Sequence, residues 1–213
     1  MSERKQIITN KIFATKQGMG TIYTEQGDAV PVTLLKFEEW LVSQVKTVAV
    51  DGYSALQVVS GYKKRASKAI LGHLAKLGLK NGVAYTKEIR LSDQGLEASV
   101  GDQISLSSIS VGDLVSVAAV SKGKGFAGSV RRFGFAGGPA SHGSKFHRRP
   151  GSSGNRTWPG RVMPGKKFPG HLGAKRVTTK NLKVVAIDPV EKVLMLKGAV
   201  PGAKNTLVEI AKG

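Results

Sequence analysis

Residues 114–187 contain no aspartate or glutamate, although they include 15 lysines and arginines. The formal net charge of the whole chain is +19, so this stretch carries most of it. From residue 121 to residue 176 glycine and proline are also frequent, and no apolar period is sustained. Such a segment repels itself and buries little apolar surface. The core of the fold must therefore come from the sequence on either side.

The flanking sequence is typical of a β-rich domain. In the first 60 residues, short β-branched runs such as residues 30–35 and 41–48 are separated by turn residues such as Asp51-Gly52. The same pattern returns on both sides of the basic stretch. Further strands are predicted at residues 85–91, 114–120, 177–187, 193–197 and 206–210.

One segment of the N-terminal half has helical periodicity. From Ala66 to Leu77, apolar residues recur at intervals of three or four, which predicts one amphipathic helix over residues 64–77. Gly78 follows as its C-cap. The cations in and beside this helix form either a solvated face or a contact with a partner, and the sequence leaves both open. They are Lys63, Lys64, Arg65, Lys68 and Lys76.

Composition narrows the class of protein. A chain of 213 residues is long enough for one sizeable core, or for one domain with a small insertion. It has no cysteine, so disulfides and thiolate metal sites are excluded, which fits a reducing compartment. The N-terminus lacks the apolar core of a signal peptide, and no run approaches the roughly 20 apolar residues of a membrane span. We therefore expect a soluble, cytoplasmic protein with no membrane partner.

The hexapeptide GKGFAG, residues 123–128, has the glycine spacing of a dinucleotide-binding turn. That site also needs a following helix and an acidic residue about 20 positions later, which binds the ribose. Here Gly134, Gly137 and Pro139 would break a helix within about three turns, and no carboxylate occurs before Asp188. The pattern is weak evidence for a nucleotide-binding enzyme, which we keep as an alternative.

Other patterns that suggest catalysis are also incomplete. Residues 160–167, GRVMPGKK, approach a phosphate-binding loop, but Lys167 stands where Ser or Thr would bind magnesium, and Pro164 removes a backbone N–H. His142 and His147 lie beside serines, yet no acidic residue is near them in sequence and no metal spacing is matched. We favour hydrogen bonding or stacking of these histidines on a polyanion. No catalytic residue, metal or cofactor is predicted.

Six aromatic residues are interleaved with the cations of the basic stretch. Aromatic rings stack on bases, arginine binds phosphate through two parallel hydrogen bonds, and glycine lets the backbone approach RNA closely. This combination favours a folded-RNA partner over a flexible linker. DNA is disfavoured because no helix-turn-helix, zinc finger or basic zipper is present, but general nucleic-acid compaction stays an alternative on charge alone. The aromatic residues are Phe126, Phe133, Phe135, Phe146, Trp158 and Phe168.

Several longer motifs occur in a fixed order between residues 121 and 202: SKGKGFAG, GGPASHGSKFHRRPGSSGNR, PGRV, GHLG, RVTTKNLKVV and LKGAVPG. In this order they resemble the bacterial-type large-subunit ribosomal protein L3 (uL3) family. Weaker matches, such as DGYSALQV at residues 51–58, extend the resemblance over nearly the whole chain. The resemblance implies a mainly β fold with a six-stranded translation-protein-type β-barrel, a small α+β insertion and a long irregular basic extension. The implied divisions are a barrel from residues 1–60 and 97–213, an insertion at 61–96 and an RNA-penetrating loop at 122–176.

The resemblance also implies a function. A member of this family is a structural constituent of the large ribosomal subunit, binds 23S-type rRNA near its 3′ end, acts early in assembly and contacts neighbouring large-subunit proteins. The extension would approach the peptidyl-transferase centre without a catalytic group or a small-molecule substrate. Its tip is expected at Asn155, Arg156, Thr157 and Trp158. The residues expected to bind rRNA are Lys122, Lys124, Arg131, Arg132, His142, Lys145, His147, Arg148, Arg149, Arg161, Lys166, Lys167, His171, Lys175 and Arg176.

The chain departs from the family pattern at three places. Residues 18–20, Gly-Met-Gly, replace the family's usual Gly-Met-Thr near the N-terminus. Residues 37–40, FEEW, replace a common Gly-Pro before the QVKT strand. Thr157 stands where many bacterial members carry a glutamine that is methylated in some of them. That modification is impossible on threonine, so the tip of this chain differs chemically from theirs.

Overall fold

The computed structural model describes residues 5–91 and 98–212. No helix within these residues has the length and apolar character needed to cross a membrane. The strands are β1 (Gln6–Ile7), β2 (Lys11–Tyr23), β3 (Ala29–Lys36), β4 (Leu41–Lys46), β5 (Ala55–Lys63), β6 (Gly82–Arg90), β7 (Gln103–Ile104), β8 (Leu114–Val120), β9 (Phe126–Ala127), β10 (Gly170–His171), β11 (Arg176–Asp188), β12 (Val193–Lys197) and β13 (Leu207–Lys212). The helices are α1 (Val48–Asp51), α2 (Lys68–Leu74) and α3 (Ser129–Phe133), with 3-10 turns at Ala75–Leu77 and Leu106–Ser108.

Six strands close into a barrel in the order β11, β12, β3, β2, β13 and β8. Strands β3 and β12 pair antiparallel with Leu35 opposite Leu194, and β2 and β13 pair antiparallel with Ala14 opposite Val208. All four side chains are buried. They lie on the core face of the sheet, since alternate residues of a strand point to the same face. The predicted six-stranded barrel is confirmed, and the strands predicted at residues 114–120 and 193–197 coincide with β8 and β12.

A second, five-stranded sheet has the order β1, β7, β4, β5 and β6. Val58 of β5 lies opposite Val42 of β4 on one side and Lys87 of β6 on the other. Strand β4 and most of β5 fall within residues 1–60, which were expected in the barrel, so this sheet begins earlier in the chain than the predicted insertion. Alternating β-branched residues indicate a strand but do not show which sheet it joins. The division into domains stays a prediction.

Residues 37–40 connect the barrel to the second sheet. Phe37 and Trp40 are buried in a core cluster that also includes Leu35 of the barrel and Val58 of the second sheet. The indole N–H of Trp40 donates a 2.9 Å hydrogen bond to the carbonyl oxygen of Phe13, and the two ring centres are 5.0 Å apart. The two sheets therefore share one core. The segment that departs from the family pattern supplies the largest fully buried side chain of that core.

Helix α2 is shorter than the predicted helix. It begins after Ser67, whose hydroxyl accepts a 3.4 Å hydrogen bond from the backbone N–H of Ile70, and one 3-10 turn continues it from Ala75 to Leu77. Residues 64–66 precede this cap, although lysine and arginine are good helix formers. Gly78 follows with a φ of 68°, so its predicted role as a C-cap is confirmed.

The chain divides into two compact units. One consists of Met1–Ala119 with Val177–Gly213 and contains both large sheets. The other, Val120–Arg176, contains β9, β10 and α3, and we call it the basic segment. It includes every residue predicted above to bind rRNA.

Candidate nucleic-acid interface

The two ends of the basic segment pair with each other. The backbone N–H of Ser121 donates to the carbonyl oxygen of Lys175 at 2.9 Å, and that of Lys124 donates to the carbonyl oxygen of Leu172 at 2.8 Å. The N–H of Leu172 in turn donates a 2.9 Å bond to Gly125, and β9 pairs antiparallel with β10. We call these paired residues, 121–127 and 170–175, the stem. The stem was not predictable from the sequence, because backbone pairing through glycine-rich sequence leaves no apolar period.

Glycines allow close approach of backbone within the basic segment. A Cβ on Gly173, which has a φ of 76°, would collide with the carbonyl oxygen of Lys122. A Cβ on Gly137, which has a φ of 73°, would lie 2.7 Å from the carbonyl oxygen of His147. The neighbouring Gly138 donates its N–H to the same oxygen at 2.6 Å. These glycines therefore build the fold of the segment itself, because a side chain would clash and would disfavour the left-handed backbone.

The hexapeptide at residues 123–128 belongs to this stem. Its central glycine, Gly125, accepts the N–H of Leu172, and Gly128 is the N-cap residue of α3. Helix α3 spans five residues and ends at Phe133, and its C-cap residue Gly134 has a φ of 73°. The predicted early break of the helix is confirmed. The glycines of the hexapeptide thus lie where the two segments of the stem pair. They precede a helix that is too short for a dinucleotide-binding fold.

Arg132 was predicted to bind RNA, but its side chain is half buried and makes contacts within the basic segment. Its Nη1 atom donates a 2.7 Å hydrogen bond to the carbonyl oxygen of Phe168, and its guanidinium carbon lies 4.9 Å from the centre of the Phe133 ring. A Cβ on Gly170 would lie 2.8 Å from Nη1. Arg132 therefore joins α3 to the returning chain, whereas the neighbouring Arg131 is exposed.

The other side chains predicted to bind RNA, and those of the predicted loop tip, are all exposed. Residues 114–187 themselves contain no aspartate or glutamate. Among the described residues, no group of three or more His, Cys, Asp or Glu side chains is placed to hold a metal ion. The exposed residues are Lys122, Lys124, Arg131, His142, Lys145, His147, Arg148, Arg149, Asn155, Arg156, Thr157, Trp158, Arg161, Lys166, Lys167, His171, Lys175 and Arg176.

Comparison with known proteins identifies the family. Residues 80–193 match the family model described as "Ribosomal protein L3". The chain is 62% identical over 206 residues to the "Large ribosomal subunit protein uL3" of Bdellovibrio bacteriovorus, which covers 95% of this chain and 93% of that one. This chain belongs to the ribosomal protein L3 family. Proteins of the same name from Syntrophobacter fumaroxidans and Geobacter sulfurreducens are each 44% identical, over 94% and 92% of this chain and 96% and 94% of theirs.

Membership of the ribosomal protein L3 family confirms the resemblance inferred from the ordered motifs. It supports a structural protein rather than an enzyme. It supports neither alternative that the sequence left open, the nucleotide-binding enzyme or the general nucleic-acid-compacting protein.

In this L3-family chain, four of the six aromatic residues of the basic segment fall into two groups. Phe126 and Trp158 have exposed fractions of 79% and 82%, so they present ring faces for stacking. Phe133 instead packs beside Phe135, with ring centres 6.3 Å apart, and contacts the guanidinium of Arg132. The second group therefore stabilises the segment. Nothing in the spacing of the aromatic residues along the sequence distinguishes the two groups.

Proposed function

We propose that this protein is a structural constituent of the large ribosomal subunit and binds 23S-type rRNA through the basic segment. The observation that carries the proposal is a folded unit with 13 lysines and arginines and no carboxylate, on which nearly all the cationic side chains are exposed. RNA binds such a surface because its phosphates neutralise the positive side chains. Binding also releases counterions from the RNA. The relatives, each a "Large ribosomal subunit protein uL3", support the same assignment.

The tip of the basic segment approaches the peptidyl-transferase centre in this proposal. Arg156 and Trp158 are exposed there, and they are suited to phosphate binding and base stacking. Residues 154–159 contain no acidic residue, histidine or lysine. The tip therefore positions RNA without supplying a general acid or base. By the same resemblance, the protein binds near the 3′ end of the rRNA and acts early in assembly beside neighbouring large-subunit proteins.

Removal of residues 126–171, which include β9 and β10 at the far end of the stem, tests this proposal. Leu172 N–H donates to the carbonyl oxygen of Gly125 at 2.9 Å, so two glycines can replace residues 126–171 without separating the ends. We expect the variant to keep its barrel, because the main core cluster contains no residue of the basic segment. We also expect it to be missing from large subunits isolated by sedimentation. Normal incorporation of the folded variant would contradict the proposal.

Salt dependence measures the phosphate contacts in the full-length protein. With about eight contacts, the logarithm of the binding constant for 23S rRNA should fall against the logarithm of salt concentration with a slope near −6. Replacing Arg148, Arg149 and Arg161 with glutamine should make this slope shallower by about 2. A wild-type slope near zero would contradict an electrostatic interface. A control with the same loss of charge replaces Lys36, Lys197 and Lys204, which are exposed residues outside the basic segment.

A further inference from the structure

Strands β2 and β3 continue beyond the barrel as a two-stranded ribbon. The pairing of β13 with β2 ends at Thr15, and the pairing of β12 with β3 ends at Val32. The two strands stay paired with each other as far as Tyr23 and Ala29. We call residues 18–31 the ribbon. Within the described residues, β3 is the one strand that pairs with this part of β2, so the opposite edge of the β2 backbone is open to a partner.

The ribbon exposes apolar side chains. Met19 and Tyr23 lie on one face of β2, since alternate residues of a strand share a face, and their exposed fractions are 55% and 72%. Pro31 of β3 is opposite Thr21 on this same face and is also exposed. A two-stranded hairpin is at best marginally stable by itself, and methionine and tyrosine are enriched in protein–protein interfaces. The ribbon therefore has the composition of a surface that another protein covers.

Charge distinguishes the ribbon from an RNA-binding surface. Residues 17–35 contain no lysine or arginine, and the turn that joins the two strands carries Glu25 and Asp28, which are both exposed. This turn is ordered, because the N–H of Gly27 donates to the carbonyl oxygen of Thr24 at 2.9 Å and the N–H of Asp28 donates to its hydroxyl at 3.1 Å. Carboxylates repel phosphates and attract positive side chains, so the tip of the ribbon favours a basic partner.

Gly20 leaves the backbone of the ribbon bare. It lies in regular pairing opposite Val32, and its φ is not in the positive range that favours glycine. A Cβ on Gly20 would meet no atom within 4 Å. Neither packing nor backbone conformation within this chain thus requires glycine, although glycine weakens a strand. Glycine inside a strand often marks a place where another backbone approaches closely. Gly20 is also the position at which this chain departs from the family's usual Gly-Met-Thr.

We propose that the ribbon is a docking site for a positively charged, extended segment of another large-subunit protein, whose backbone lies against β2 at Gly20. The open edge of β2 supplies backbone hydrogen bonds to such a segment. Met19 and Tyr23 contact its apolar side chains, and the carboxylates of the tip attract its lysines and arginines. The choice of a large-subunit protein as the partner rests on the proposed function.

Photocross-linking within isolated large subunits tests the inference. In one full-length variant Tyr23 is replaced with the photoreactive amino acid p-benzoylphenylalanine, and in a reference variant Trp158 is replaced in the same way. We expect the Tyr23 position to cross-link to another protein, through a peptide with more lysine and arginine than aspartate and glutamate. The Trp158 position should cross-link to 23S rRNA, as the proposed function requires. Met19, on the same face as Tyr23, is the second position if the first substitution prevents incorporation.

The two positions distinguish failure of the inference from failure of the proposed function. The inference is overturned, and the proposed function stands, if Trp158 cross-links to rRNA while the ribbon cross-links to rRNA, to a second copy of this chain or to nothing. A cross-linked peptide without excess positive charge would overturn it as well. If the wild-type protein is absent from large subunits, both proposals fail. A protein cross-link from the ribbon without an rRNA cross-link from Trp158 would support the docking site and contradict RNA binding by the tip of the basic segment.

The variant Gly20→Thr tests the close approach of the partner backbone. It should leave the midpoint of thermal unfolding unchanged or raise it, because threonine favours a strand and its Cβ would meet no atom of this chain. The yield of the cross-link from Tyr23 should nevertheless fall severalfold, because the new side chain occupies the space of the partner. A wild-type yield in this variant would show that no backbone lies against Gly20.

A pair of charge reversals tests the basic character of the partner. Glu25→Lys should reduce the yield of the cross-link from Tyr23 severalfold, because it replaces attraction by repulsion at the tip. Glu191→Lys is the matched control, since it makes the same change of charge at an exposed position outside the ribbon, and it should keep the wild-type yield. Equal yields in the two variants would overturn electrostatic recognition by the ribbon.

Discussion

The Nη1 atom of Arg132 donates a 2.7 Å hydrogen bond to the carbonyl oxygen of Phe168, 36 residues later in the chain. Most of the exposed cations of the basic segment, and its whole tip, lie between these two residues. The contact therefore closes a long loop at its base. Arg132 combines this bond with packing on the Phe133 ring and on the backbone of Gly170. Its geometry fits an internal brace better than a phosphate contact.

Substitution of Arg132 by lysine distinguishes the contribution of its hydrogen bond to Phe168 from that of its positive charge. Arg132→Lys keeps the positive charge but loses the planar group that bonds to Phe168, so the free energy of local opening should fall by about 1–3 kcal/mol. Arg131→Lys is the matched control and should stay within about 0.5 kcal/mol of wild type, because Arg131 is exposed. Amide hydrogen exchange at Leu172, whose N–H donates to Gly125, measures the opening. Equal exchange in the two variants would show that Arg132 is not a brace.

The stem itself depends on Gly173. Gly173→Ala would place a Cβ against the carbonyl oxygen of Lys122, and alanine at a φ of 76° costs about 1–2 kcal/mol from the backbone alone. We expect faster exchange of the Lys124 amide, which donates to Leu172 across the stem. Gly128→Ala is the control, since its φ of −67° is ordinary and a Cβ there meets no atom within 4 Å. Unchanged protection of Lys124 in Gly173→Ala would contradict the observed pairing.

Sequence patterns predicted the parts of this fold that depend on side-chain periodicity. Strands β8 and β12 coincide with their predictions because alternating apolar residues mark a strand with one buried face. The ordered motifs predicted the barrel and the family. The sheet to which β4 belongs was not predictable in the same way, because its alternation fits either sheet equally well.

The position of the candidate interface in the sequence was predictable from its composition, but its internal contacts were not. Cations without carboxylates identify the segment whatever its fold. The internal role of Arg132 depends on where Phe168 and Gly170 return in space, and no local pattern encodes that return. The stem is equally hidden, because its bonds join backbone atoms of residues about 50 positions apart, such as Ser121 and Lys175.

Trp40 should contribute far more to stability than the other tryptophan of the chain. It is 1% exposed, and its indole N–H donates to Phe13 in the core shared by the two sheets. We expect Trp40→Ala to lower the free energy of unfolding by about 3–5 kcal/mol, and Trp40→Phe by about 1–3 kcal/mol through loss of the donor and of ring volume. Trp158→Phe, at an 82% exposed position, should change it by less than about 0.5 kcal/mol. Urea unfolding measures all three, and equal effects at the two tryptophans would contradict the shared core.

An ion pair between Asp113 and Lys212 in the barrel should make the free energy of unfolding depend on pH. Asp113 lies just before β8, and its backbone carbonyl accepts the N–H of Val184 in β11 at 2.9 Å. Its carboxylate is 2.6 Å from the ammonium of Lys212 at the end of β13, and it also accepts the N–H of Ser110 at 2.9 Å. These bonds, that from Lys212 first, lower the pKa of the Asp113 carboxyl below its ordinary value of 3.8.

A lowered pKa in the folded state means that the Asp113 carboxylate stabilises the fold only while it is ionised. Its contribution is complete above 3.8, the ordinary pKa, and is lost as the pH falls through the lower pKa of the folded state. Asp113→Asn should therefore be less stable than wild type at neutral pH, and this difference should shrink as the solution is acidified below 3.8. Urea unfolding over a pH series measures the difference, with Asp28→Asn in the exposed β2–β3 turn as the control. Because the pair is partly exposed, high salt should also reduce the difference at neutral pH. A difference that stays constant across the acid range would show that Asp113 acts through packing rather than charge.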